Sequence, residues 1–164
     1  MQIDTMTIDN EANTTLTVYL HEEKPEFHRI DKRPFILVIP GGGYGFCSER
    51  EAEPIALKFA AEGYHTGVLR YHVGEHRDFH KALADAEKSM DLIALLAEKA
   101  KIDQTKIAVI GFSAGGHLAA ALSTLSDRKP SACILAYPAI LSSFAEAMKI
   151  KAPSLDMCVT PQTP

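Results

Sequence analysis

The sequence predicts one α/β domain, a mostly parallel sheet with helices on both faces. Three observations predict it. Strand-like and helix-like stretches alternate from Phe35 to Pro138, the order that builds parallel sheets through crossover helices. The strand-like stretches "FILVI", "KIAVIGF" and "SACILAYP" are continuous apolar runs, as expected of strands covered on two faces. Two of these runs end in glycine-rich turns, which let a chain leave a strand sharply. At 164 residues the chain is long enough to bury roughly 70% of its unfolded surface in one core.

The first element, "TLTVYLHE" (Thr15 to Glu22), alternates apolar and polar residues and reads as a half-buried edge strand. Phe35 to Ile39 is a buried strand that stops at Pro40 and three glycines. "EAEPIALKFAAEG" reads as a helix with Gly63 as its stop. "HTGVLRYHV" is the next strand. Leu83, Ala86, Met90, Ile93, Ala97 and Ala100 are spaced by three and four residues, the apolar stripe of a long amphipathic helix. "KIAVIGF" is a buried strand, Ala114 to Leu125 a helix, and "SACILAYP" a further buried strand. "AILSSFAEAMKIKA" holds one short helix, and "PSLDMCVTPQTP" is turn-like. Asp103 is expected in a turn before its strand, and the carboxylates of "DAEKSMD" mostly on the solvated side of the long helix.

Composition narrows the function. A net charge of −4 and a pI near 6.0 offer no electrostatic reason for a nucleic-acid or anionic-membrane partner. No apolar stretch reaches the length of a membrane span. The first sixteen residues lack a basic region followed by an apolar one, which reads against a secretory signal. Cys47, Cys133 and Cys158 are odd in number and lack CxxC spacing. They fit a reduced, cytoplasmic protein and neither a disulfide framework nor a zinc site. Cys47 has no obvious basic partner and reads as a small loop filler. His72, His76 and His80 stand four apart, but Gly74 and a strand-to-helix transition interrupt them, so they are read as a solvated loop and no metal is expected.

One motif carries chemistry. Gly111-Phe112-Ser113-Ala114-Gly115 matches G-x-S-x-G between a buried strand and a helix. That setting forces the serine into a sharp turn and lifts its hydroxyl above the strand ends. A serine hydroxyl is a weak nucleophile alone, and a tetrahedral intermediate needs donors for its oxyanion. "IPGGGYGF" comes after an earlier buried strand and can turn backbone N–H groups toward a ligand. A phosphate site is the competing reading, but the G-x-G-x-x-G spacing and a P-loop lysine are both missing.

"IPGGGYGF" and "GFSAGGHLAAAL", in this order and each after a strand, resemble the α/β-hydrolase superfamily. Within it they are most similar to the bacterial acetyl-esterase, xylan-esterase and feruloyl-esterase-like group. The resemblance covers most of Phe35 to Pro138 and resumes at "SLDMCVTPQTP". It implies an α/β-hydrolase fold, hydrolysis of carboxylic esters such as acetylated sugars or xylan fragments, a small-molecule ester as partner, and no cofactor. By the same carry-over Ser113 is the nucleophile, and the N–H groups of Gly42, Gly43 and Ala114 form the oxyanion hole.

The superfamily places its acid and then its histidine after the serine. His117 is the only histidine after Ser113, and its helix should carry it away from the hydroxyl. Asp156 comes earlier than the expected acid. The expectation is therefore a single domain over residues 1–164 that corresponds to the N-terminal portion of an esterase, with acid and base absent and low turnover. A non-catalytic binding or interaction module is the alternative. A sheet without its last strands would expose an apolar edge, through which a homodimer is expected.

Overall fold

The computed structural model describes residues 1–24, 26 and 31–164. It contains a six-stranded sheet built from β1 (Gln2–Asp9), β2 (Thr14–Leu20), β3 (Arg33–Ile39), β4 (His65–Arg70), β5 (Ile102–Phe112) and β6 (Ala132–Ala136). The strand order is β1-β2-β4-β3-β5-β6. β1 and β2 form an antiparallel hairpin, and β2 pairs antiparallel to β4. From β4 through β3 and β5 to β6 every pairing is parallel. This is the mostly parallel sheet that the alternation of elements predicts.

Helices cover both faces. Phe35, Leu37 and Ile39 of β3 pack toward α2 (Phe79–Leu96) and α3 (Ala114–Leu125). Ile36 and Val38, pointing the other way as strand geometry requires, pack with Ala56 of α1 (Glu53–Ala61). All five β3 residues are buried, so the continuous apolar run reflects two covered faces. Helix α2 begins after Asp78, whose carboxylate accepts the Lys81 N–H at 2.9 Å, a side-chain cap that satisfies one free helix donor. A short α4 (Ser142–Ala147) and a 3₁₀ turn at Leu155–Cys158 come after β6.

Three expectations are corrected. The Thr15–Glu22 strand is internal, because residues 2–9 form β1 outside it; β1 alternates mostly polar and half-apolar side chains on an exposed edge, and so carries little hydrophobic signal. β6 is an edge strand, with Ile134 and Leu135 exposed at 43% and 40%, because β5 is its one neighbour in the sheet. Asp103 lies inside the long β5, where its carboxylate accepts the Thr105 N–H and hydroxyl and pairs with Lys106 at 3.0 Å. Those bonds hold its pKa down to about 2.

The tightest joint in the fold is between α3 and the ends of β3 and β5. A Cβ on Gly115 would sit 2.1 Å from the Ile39 carbonyl oxygen, and one on Gly111 2.3 Å from the Gly115 carbonyl oxygen. Backbone packs on backbone there, so a methyl group would have to push the helix away from the sheet. Gly115→Ala is expected to cost at least about 2 kcal/mol, a fall in Tm of about 4 °C or more for a domain of this size. Thermal unfolding monitored by circular dichroism checks this.

Candidate active site

Strands β3 and β5 are parallel neighbours paired in register up to Ile39 and Gly111. The segments that leave their C-terminal ends therefore emerge side by side at the same end of the sheet. From β3 the chain runs into the loop Pro40–Phe46, and from β5 into Ser113.

Ser113 has φ 49° and ψ −113°, a conformation that L-residues adopt at a cost of about 1–3 kcal/mol. The surroundings hold it there. Its N–H donates to the Ala136 carbonyl at 3.0 Å, and its own carbonyl accepts from the N–H groups of His117 (3.0 Å) and Ala139 (3.1 Å). The backbone is thus clasped by α3 on one side and by the segment after β6 on the other. The side chain is half-buried. Ala114 opens α3, and an N–H in a helix's first turn lacks an intrahelical acceptor.

The glycine loop passes through positive-φ backbone, which favours glycine. Gly42 and Gly43 have φ of 127° and 62°, and a Cβ on Gly42 would fall 2.0 Å from the Phe46 carbonyl oxygen. The loop's carbonyls are engaged inward: Gly42 accepts from Gly45 N–H at 2.9 Å and Gly41 from Ser48 N–H at 2.9 Å. The N–H groups of Gly42 and Gly43 have no acceptor among the described residues.

Tyr44, the next residue, is fully buried at φ 58°. Its hydroxyl bonds His117 Nδ1 at 3.0 Å, and its ring meets Tyr71 edge-on. Tyr71 in turn donates to the Pro40 carbonyl at 3.0 Å. His117 is completely buried, with Nε2 unpartnered among the described residues. Burial lowers its pKa to about 4 and pushes the Tyr44 phenol well above its ordinary value. The neutral imidazole therefore joins the glycine loop to α3.

The other candidates sort clearly. His72 is not solvated: it is buried, and its Nδ1 lies 2.6 Å from Asp85 Oδ2. The correction has a physical reason, since Asp85 turns inward from α2 and also accepts the His72 N–H and the Thr14 hydroxyl. His76 and His80 are exposed, and no group of metal-ligating side chains is assembled among the described residues. Cys47 has its thiol pushed up to about 11 by burial, opposite to what a nucleophilic thiolate needs. Asp156 is exposed and accepts from the Ser154 hydroxyl at 2.7 Å. No helix among the described residues is long and apolar enough to cross a membrane.

A parallel sheet whose β5 ends in a strained serine leading straight into a helix, beside a glycine loop from β3, defines an α/β-hydrolase fold. Residues 18–152 match the BD-FAE family model, and the chain belongs to that family. It is 33% identical over 141 residues to an endo-1,4-beta-xylanase B of Butyrivibrio fibrisolvens, covering 76% of this chain and 21% of that protein. It is 32% identical over 108 residues to an acetylxylan esterase of Xylanibacter ruminicola, covering 64% and 22%. Among solved structures, MGS-M1, an α/β-hydrolase enzyme from a Medee basin deep-sea metagenome library, is 48% identical with a TM-score of 0.83, over 86% of this chain and 58% of that one. The carboxylesterase Cest-2923 of Lactobacillus plantarum is 27% identical with a TM-score of 0.87, over 99% and 69%. The chain thus spans about a fifth of the curated relatives it matches.

Two features escaped the sequence. Tyr44 is visible beside the glycines, but its pairing with His117, 73 residues away, has no periodic signature. Glu51 reads as an ordinary helix-start residue, yet its carboxylate accepts the Gly41 N–H at 2.9 Å.

The buried His117 makes a pH prediction. Its folded pKa near 4 lies below its ordinary value of 6.5, so the unfolded chain binds the proton more readily. Stability should therefore be full above about pH 6.5 and fall as the pH drops toward 4, by up to about 1.4 kcal/mol per pH unit for one such group. Urea unfolding at pH 7 and pH 5 is expected to show a smaller difference for His117→Asn than for the natural protein.

Proposed function

We propose that this chain carries the nucleophile and oxyanion donors of a carboxylic ester hydrolase acting on small acyl esters, such as acetylated sugars or xylan fragments. The observation that carries the reading is Ser113, held at positive φ against Gly41, the start of a loop whose next two residues, Gly42 and Gly43, leave their N–H groups without an acceptor among the described residues. An enzyme gains most where donors are already aimed at charge that develops only in the transition state. Here a loop built from positive-φ backbone supplies them without side-chain motion. The acetylxylan esterase relative supports the choice of ester, and the carboxylesterase neighbour supports the reaction class.

In the proposed reaction, Ser113 Oγ attacks the acyl carbon. The carbonyl electrons move to oxygen, which accepts hydrogen bonds from Gly42, Gly43 and Ala114. Collapse expels the alcohol and leaves an acyl-serine, which water then cleaves. This chemistry needs no metal or cofactor. The serine proton needs a base, and His117 does not fill that role. Its pKa is near 4, its Nδ1 is engaged by Tyr44, and its ring is sealed from solvent.

A serine without its base retains at most the share of catalysis due to binding and the oxyanion hole, about 10³- to 10⁴-fold over water. Hydrolysis of 4-nitrophenyl acetate is therefore expected to be slow, with Ser113→Ala keeping most of that residual rate, because binding and the oxyanion donors are left intact. The check on the nucleophile is binding of phenylboronic acid, which bonds a serine oxygen, by this chain beside Ser113→Ala, where binding is expected to be lost. Equal binding in the two would contradict the assignment and favour a binding module.

A further inference from the structure

The glycine loop is pinned to α3 by Tyr44, but its first glycine is held differently. Glu51 lies in a short 3₁₀ turn, Glu49–Glu51, just before α1. Its Oε2 accepts the Gly41 N–H at 2.9 Å, and its Oε1 accepts the Tyr137 hydroxyl at 2.8 Å. A Cβ built on Gly41 would lie 2.8 Å from Glu51 Oε2 and 3.1 Å from Ser113 Cβ. The carboxylate and the serine thus flank the same glycine.

Tyr137 sits at a particular place. It comes directly after Ala136, whose carbonyl accepts the Ser113 N–H, and two residues before Ala139, whose N–H donates to the Ser113 carbonyl. Its own φ is 39°, and its ring is 64% exposed, leaning on Phe112. One carboxylate therefore ties the glycine loop to the segment that clasps Ser113.

We propose that Glu51 is a positioning residue that sets the Gly41–Gly43 backbone against Ser113 by sharing its carboxylate between the Gly41 N–H and the Tyr137 hydroxyl. The inference rests on the proposed role of Ser113. A carboxylate suits the task because both its oxygens accept, and bonds to a charged acceptor are about twice as strong as neutral ones. A glutamine offers one acceptor oxygen and would keep the Gly41 bond while weakening or inverting the one to Tyr137. The bond to Glu51 also raises the Tyr137 phenol's pKa, keeping it a donor.

Two readouts on the full chain test this. In NMR spectra the Gly41 amide proton should move upfield and lose exchange protection in Glu51→Ala, while Glu51→Gln and Tyr137→Phe keep most of its hydrogen-bonded position. Phenylboronic acid, which bonds a serine oxygen and places a second oxygen where an oxyanion would form, should bind Glu51→Ala about tenfold more weakly. Glu51→Gln should recover most of that loss, with Tm little changed in either. A Gly41 amide proton that Glu51→Ala leaves in place would overturn the proposal. So would boronate binding to Glu51→Ala as tight as to the natural chain while Ser113→Ala loses it, or a binding loss that merely tracks a fall in Tm. Boronate binding that Ser113→Ala leaves intact would remove the serine reading itself, and the inference with it.

Discussion

Everything at this site depends on how closely α3 approaches the sheet. The helix starts one residue after Ser113, and its second residue rests on the Ile39 carbonyl with no room for a side chain. With the helix axis that near to β3, the chain between β5 and α3 cannot turn through an ordinary backbone conformation. It turns instead through a strained serine, and the strain is balanced by three backbone hydrogen bonds around that residue. The same proximity brings Gly41, at the start of the loop after β3, against the serine, so one packing constraint fixes both the serine and the beginning of the glycine loop.

Buried polar side chains then join the parts that the strands leave free. Tyr44 and His117 link the loop to α3. His72 and Asp85 link the end of β4 to α2, and Thr14 at the start of β2 shares the same carboxylate. Burial is costly for such groups unless they are paired, and pairing across elements gives each contact a single geometry. Desolvation keeps His117 neutral, which suits a hydrogen-bonded tether and not a proton acceptor.

Much of this was legible in the sequence, for physical reasons. β3 and β5 are covered on two faces, so their composition alone announced them. The turn at Ser113 was legible because a close backbone approach admits only glycine and alanine around it, and that requirement is written in consecutive letters. β1 was not legible, since an exposed polar edge has no hydrophobic period. β6 was misjudged for the opposite reason: its apolar letters suggest burial, yet β5 is its one partner in the sheet. His72 looked solvated because the residue that buries it, Asp85, lies thirteen positions away on another element. Glu51 had no signal at all, as its two partners come from separate segments.

The central claim is that Ser113 and the amides of Gly42, Gly43 and Ala114 converge on one point. A crystal structure of the chain with phenylboronic acid tests it most directly. Boron is predicted to be bonded to Ser113 Oγ, with one boronate oxygen within hydrogen-bonding distance, about 2.7–3.1 Å, of at least two of those three nitrogens. A boronate bound away from Ser113, or attached there with its oxygens turned from the glycine loop, would contradict it.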